Sequence, residues 1–214
     1  MTHDEDSLRR ALTRVASAVI EAKQVLTNID NLTGDGDLGI SMEKAALCVL
    51  SELGKPLDDG ISELLVRCAE SIGTGAPSTM GTLISFAILE AAKIMRGKAF
   101  FSEVELLKVP ANMINIIMLR GHAQLGDKTV LDALIPYHDA LLEQYIQQRD
   151  MDLAARKAAD MAQQAALRTK TYPARIGRAK WIAERFHNYP DGGAVLCAIV
   201  VSALVGERFE IDCP

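Results

Sequence analysis

Residues Thr27 to Gly39 read TNIDNLTGDGDLG and set Asp30, Asp35 and Asp37 close together, with glycines around the last two and no Lys or Arg among them. Three carboxylates that near repel one another unless a cation screens them. A glycine-bent loop lets their oxygens converge on a hard ion such as Mg²⁺, which keeps open positions for phosphate oxygens. The plainer alternative makes Asp37 the N-cap of the next helix and Asp35 a turn residue, and it leaves Asp30 unexplained. The spacing lacks the longer ligand series and closing Glu of an EF-hand. A metal loop is the expectation, with Asp30 closing the first helix.

Three further stretches could serve such a loop. Ile72 to Gly81, IGTGAPSTMG, is a glycine-rich turn that opens a helix near Ser78 and Thr79. Free N–H groups, the helix dipole and hydroxyls there suit an anion, although ordinary capping explains the same residues. It is not a Walker loop, since no GxxxxGK[ST] occurs in the chain. Gly126 to Asp132, GDKTVLD, offers Asp127 as an N-cap, and Lys128 is expected to be solvated. The long joint from Thr171 to Gly193 carries Arg175, Arg178, Lys180 and Arg185 before YPDGG. Basic residues opposite an acidic cluster suit a polyphosphate between them, while singly each reads as a solvated charge. His3, His122, His138 and His187 are scattered, and no GxSxG motif or Ser-His-Asp order appears. Hydrolysis through a covalent intermediate is not supported.

The elements that must position these loops are helical. Apolar residues recur at three and four positions, good helix formers dominate, and alternating strand patterns are almost absent. The periodicity predicts an all-α fold, with helices near 5–28, 38–53, 58–72, 78–96, 102–122, 128–148, 151–170 and 191–206. Short joints between eight helices imply an antiparallel up-and-down bundle, read as one domain over residues 1–214. In that arrangement the joints after the first, third, fifth and seventh helices share one end. All four unusual stretches therefore collect there.

Composition narrows the partners. A chain of 214 residues with 49% apolar and 24% charged residues is ordinary globular material. A net charge of -5 argues against a general nucleic-acid surface, and no charge-free apolar run is long enough for a membrane span. The acidic start, MTHDEDS, lacks the order of a signal peptide, so a cytoplasmic protein is expected. Cys48, Cys68, Cys197 and Cys213 lie far apart without CxxC spacing and read as packing residues rather than disulfide or zinc positions.

Taken together, the stretches resemble one known family. Asp30 ahead of Gly34–Gly39, the turn Gly73–Gly81, the Gly126–Asp132 run, Gly177–Ala179 and Asp191–Ala194 occur in the order seen in the nucleotide-binding L subunit (DhaL) of dihydroxyacetone kinase. The resemblance covers nearly the whole chain. It implies an eight-helix antiparallel barrel with ADP or ATP and a pair of Mg²⁺ ions at one end. Asp30, Asp35 and Asp37 would hold the metal ions, acting with Arg178 in catalysis. Leu38, Gly75, Ala76, Ser78, Thr79, Gly126, Val130, Arg178, Asp191 and Gly192 would line the nucleotide, with Val130 near the adenine and Arg178 near the phosphates. The acceptor, dihydroxyacetone or a related short ketose, would sit on a DhaK-like K subunit. The donor would be ATP, or a DhaM-like phosphotransferase-system phosphocarrier acting through bound ADP. A homodimer is compatible with the resemblance. Three departures stand out: Leu38 replaces the family's His, Ala76 stands where a phosphate-binding Ser is expected, and AspGlyGlyAla has lost the Pro of AspProGlyAla. These leave open a second reading, a nucleotide-sensing regulator that has kept Mg-nucleotide binding and lost phosphoryl transfer.

Overall fold

A computed structural model of the chain describes residues 2–56, 60–176 and 188–211. Among them lie nine α-helices: α1 (Glu5–Glu21), α2 (Lys23–Thr33), α3 (Leu38–Leu53), α4 (Ile61–Gly75), α5 (Thr79–Met95), α6 (Glu103–Gly121), α7 (Leu131–Gln148), α8 (Met151–Arg168) and α9 (Gly192–Leu204). The first expected helix is thus divided at Ala22 and runs on to Thr33. Its hydrogen bonding continues through the division, from Ala22 N to Ala18 O and from Leu26 N to Ala22 O. The pair is one bent rod, and the fold keeps eight helical staves.

Each stave packs on its neighbour in sequence, and α9 closes the ring by packing on α1 and α2 as well as on α8. The ring is why the joints alternate ends. On α8 the buried face is largely alanine, with Ala154, Ala158, Ala159, Ala162, Ala165 and Ala166 inside. Small side chains let α7 and α9 approach closely on either side. The helix α9 is buried almost all round from Gly192 to Ala203, as its uninterrupted apolar sequence requires.

At the end away from the aspartates, β1 (Thr2–His3) and β2 (Phe101–Ser102) form a two-stranded antiparallel ribbon that periodicity did not announce. Phe101 there joins Ile61, Leu65, Ala91, Ala92 and Met95 in a small second cluster. Two helix limits moved at the other end. The helix α4 continues through Gly73 and Thr74 to Gly75, and α7 starts at Leu131 rather than near Lys128. Lys128 has a left-handed backbone (φ 65°), which a continuing α-helix does not accept.

Candidate functional site

The carboxylates of Asp30, Asp35 and Asp37 each offer an oxygen, and the three oxygens lie within 4.8 Å of one another. Asp30 belongs to the last turns of α2 and is half-buried, whereas Asp35 and Asp37 are exposed. The loop closes through local bonds: Gly34 N donates to Asp30 O, and Leu38 N donates to Asp30 Oδ2 at 3.1 Å. Asp30 thereby satisfies a free N–H at the start of α3. Asp37 occupies the N-cap position itself, but its side chain makes no cap bond. The expected cap on α3 is corrected in this respect, because the helical φ and ψ of Asp37 do not provide the extended geometry from which an N-cap side chain reaches forward. Gly36 has φ 79°, the left-handed turn that aims Asp35 and Asp37 back toward Asp30.

This donor set fits a hard divalent cation. All three donors are carboxylate oxygens, and two oxygens on a single Mg²⁺ stand at most about 4.2 Å apart for bonds of about 2.1 Å. Oxygens that all lie within 4.8 Å of one another suit a shared ion, or a share in two.

Behind this loop, the second joint is short and ordered. Ser78 caps α5 by accepting from Gly81 N at 3.0 Å, so its hydroxyl has the plain capping role that the sequence also allowed. Gly75 and Thr79 are exposed beside it, while Ala76 is buried with its carbonyl accepting from Ser78 N. Exposed backbone at Gly75 and the start of α5 are what an anion can reach.

The third joint differs from expectation in two ways. Asp127 does not cap α7; it is buried and accepts from Gln124 N. The organising carboxylate is Asp132 in the first turn of α7, 2% exposed, which accepts from Gly126 N and Thr129 N at 2.6 and 2.7 Å. Lys128 is not solvated. It is 4% exposed, and its Nζ donates to Tyr189 O at 3.0 Å. Gly126 at φ 92° and Lys128 at φ 65° turn the chain so tightly that the ammonium faces inward.

The fourth joint meets the others at the start of α9. Asp191 caps that helix by accepting from Ala194 N at 2.7 Å. Burial pushes its carboxyl up to about 7; Asp132 adds to the rise, and the N–H groups and Lys128 oppose it. Burial in turn lowers the Lys128 ammonium, with Asp191 opposing. A Cβ on Gly192 would stand 2.6 Å from Leu38 Cδ2, and one on Gly193 would stand 2.8 Å from Met80 Cε and 3.3 Å from Val130 N. Four loops therefore touch through two adjacent glycines.

Asp30, Asp35, Asp37, Leu38, Gly75, Ala76, Ser78, Thr79, Gly126, Val130, Asp191 and Gly192 all belong to this end. Leu38 and Ala76 turn inward, and Arg178, with Lys180, Arg185 and His187, lies outside the described residues. Sequence reasoning missed Asp132 and the burial of Lys128. With the helix expected from about residue 128, Asp132 falls past its first turn, which hid its role; the start at Leu131 puts it where its carboxylate meets free N–H groups.

The model of the DAK2 domain matches residues 32–206. The chain belongs to the DAK2 domain family. Among DAK2 relatives it is 29% identical to the ADP-binding subunit DhaL of PEP-dependent dihydroxyacetone kinase 1 of Listeria innocua, covering 96% of this chain and 98% of that one. It is 26% identical to the corresponding subunit of Escherichia coli, covering 90% and 92%. It is 32% identical to the D-erythrulose kinase of Mycolicibacterium smegmatis, covering 92% of this chain and 35% of the relative. The chain thus spans about a third of the erythrulose kinases it matches and nearly all of the DhaL subunits. The crystal structure of the dihydroxyacetone kinase of C. freundii in complex with AMP-PNP and Mg²⁺ superposes with a TM-score of 0.69 at 26% identity, over 96% of this chain and 34% of that one. The all-α DAK2 fold and a DhaL-like place in the family follow.

Proposed function

We propose that this single DAK2 domain, spanning residues 1–214, is the nucleotide-binding component of a short-ketose kinase, a phosphotransferase that uses Mg-ADP or Mg-ATP. The observation that carries the reading is the convergence of the three-aspartate loop with the starts of α5, α7 and α9 at one end. Relatives named as ADP-binding subunits and a structural neighbour holding AMP-PNP and Mg²⁺ support it.

Bound Mg²⁺, most simply two ions, would neutralise the phosphates as the transferring group gains charge. The chain's own residues supply position. Asp30 fixes the rear of the metal loop through Leu38 N, and Asp35 and Asp37 present their carboxylates from its exposed side. Gly75 and Thr79 would offer backbone and hydroxyl donors to the phosphates, Val130 would face the base, and Asp191 and Gly192 would border the nucleotide. Arg178 would stabilise transferred charge. The acceptor, dihydroxyacetone or a related ketose such as erythrulose, would be held by a DhaK-like subunit or domain. The donor would be ATP or a DhaM-like phosphocarrier that recharges bound ADP. A cytoplasmic location goes with this role.

Calorimetry with ADP in Mg²⁺ and in EDTA tests the binding half, with tight binding expected in Mg²⁺ alone. Equal affinity in EDTA would sink it. The transfer half is tested by adding a ketose-binding subunit and following ketose phosphate.

One observation favours the regulatory reading, in which nucleotide binds and no phosphate moves. Leu38 is 8% exposed and packs on Gly192, so an apolar group fills the position where the resemblance implies His. Mg-ADP binding without transfer, in the presence of a ketose-binding subunit and both donors, would decide for it.

A further inference from the structure

Lys128 stands in the described core at 4% exposure and in a left-handed backbone conformation. Burial of an ammonium and a positive φ at a residue with a Cβ both oppose a lysine here, so its surroundings must hold it. Those surroundings include the chain leading into α9. The Lys128 Nζ donates to Tyr189 O at 3.0 Å and interacts favourably with the Asp191 carboxyl group. One residue earlier, Asp127 O accepts from Arg175 N at 3.2 Å. Two consecutive residues of the joint before α7 thus grip the long joint near its start, at Arg175, and again near its far end, at Tyr189.

From there the geometry passes directly to the start of α9. Asp191 N donates to Thr169 Oγ1 at 2.8 Å, Asp191 Oδ1 accepts from Ala194 N, and Gly193 lies against Val130 N. A neutral residue at 128 would leave Tyr189 O without this donor and Asp191 without its positive neighbour.

We propose that Lys128 is a positioning residue: by holding the Tyr189 carbonyl it sets where the Tyr189–Gly193 turn stands relative to Val130, and so shapes the nucleotide border. This rests on the reading of that end as a nucleotide site. Lys128 acts through its neighbours rather than by touching phosphate.

The test uses the full chain as wild type and K128M. Amide exchange over residues 189–195 is measured without ligand, melting is recorded, and calorimetry measures Mg-ADP and Mg²⁺ alone. The expected result is faster exchange at 189–195, Mg-ADP bound roughly tenfold more weakly, and Mg²⁺ bound as in wild type. A folded K128M with unchanged exchange and unchanged Mg-ADP affinity overturns the proposal. So does a lowered melting point with wild-type Mg-ADP affinity, which marks a purely structural lysine. If K128M does not fold, K128Q is read by the same criteria. If wild type itself binds no Mg-ADP, the nucleotide reading fails, and the exchange comparison alone decides the positioning role.

Discussion

The backbone N–H of Leu38 is held by the Asp30 carboxylate, eight residues earlier, at 3.1 Å. One member of the three-aspartate loop therefore also secures the start of α3. The aspartates should separate by role. Asp30→Ala leaves an uncapped helix start and should cost about 1 kcal/mol without metal, partly offset by the removal of one like charge. Asp30→Asn keeps an acceptor and should cost less. Urea melts in EDTA check this, and an Asp30→Ala protein as stable as wild type would show that the bond contributes nothing.

Asp37 should behave in the opposite way. It is exposed, and its side chain makes no cap bond. In EDTA, Asp37→Ala should melt within a degree or two of wild type or slightly above, since a like charge has gone. With Mg-ADP the wild type should gain stability by mass action, and the mutant should lose most of that gain. Four midpoints decide the matter: wild type and mutant, each with and without Mg-ADP. A large loss in EDTA would assign Asp37 to the fold.

Much of this end was legible because chemistry and periodicity agreed. The three aspartates, the glycine turns and the alternation of eight helical staves place the four loops together from sequence alone. What stayed hidden depended on local geometry. The bend at Ala22 lies in helix-favouring sequence with no Gly or Pro to mark it. Whether Asp30 or Asp37, and Asp127 or Asp132, takes the free N–H groups depends on φ and ψ at single residues. Lys128 looks solvated by type, and its burial follows from two left-handed residues close together, one of them not glycine.

Gly192 and Leu38 join the fourth loop to the first, with a Cβ at Gly192 only 2.6 Å from Leu38 Cδ2. Gly192→Ala should destabilise the protein by roughly 1–3 kcal/mol through overpacking of a buried contact. Leu38→Ala removes the obstructing atoms at its own cost, so the double mutant should lose less than the sum of the single losses. A double-mutant cycle by urea melts measures the difference. Strict additivity would mean that the two loops are not coupled through this pair.

Asp191 gives the end its own pH dependence. Its carboxyl has an ordinary value of 3.8 and is pushed up to about 7 in the fold, mainly by burial. The folded protein therefore holds this proton more tightly than the unfolded chain does. That contribution to stability is complete below pH of about 4 and is lost as pH rises through about 7. Asp191→Asn carries no titrating group and keeps an oxygen that can accept from Ala194 N, the bond Asp191 makes at the start of α9. Its effect can be read as a difference from wild type, in which the titrating groups that do not interact with Asp191 cancel. In the absence of Mg²⁺ and nucleotide, Asp191→Asn should gain stability relative to wild type as the pH is raised from 5 to 8. Urea midpoints of both proteins across that range are the measurement. A flat difference across that range would mean that the folded carboxyl stays at or below its ordinary value, with Lys128 and the α9 N–H groups matching or outweighing burial.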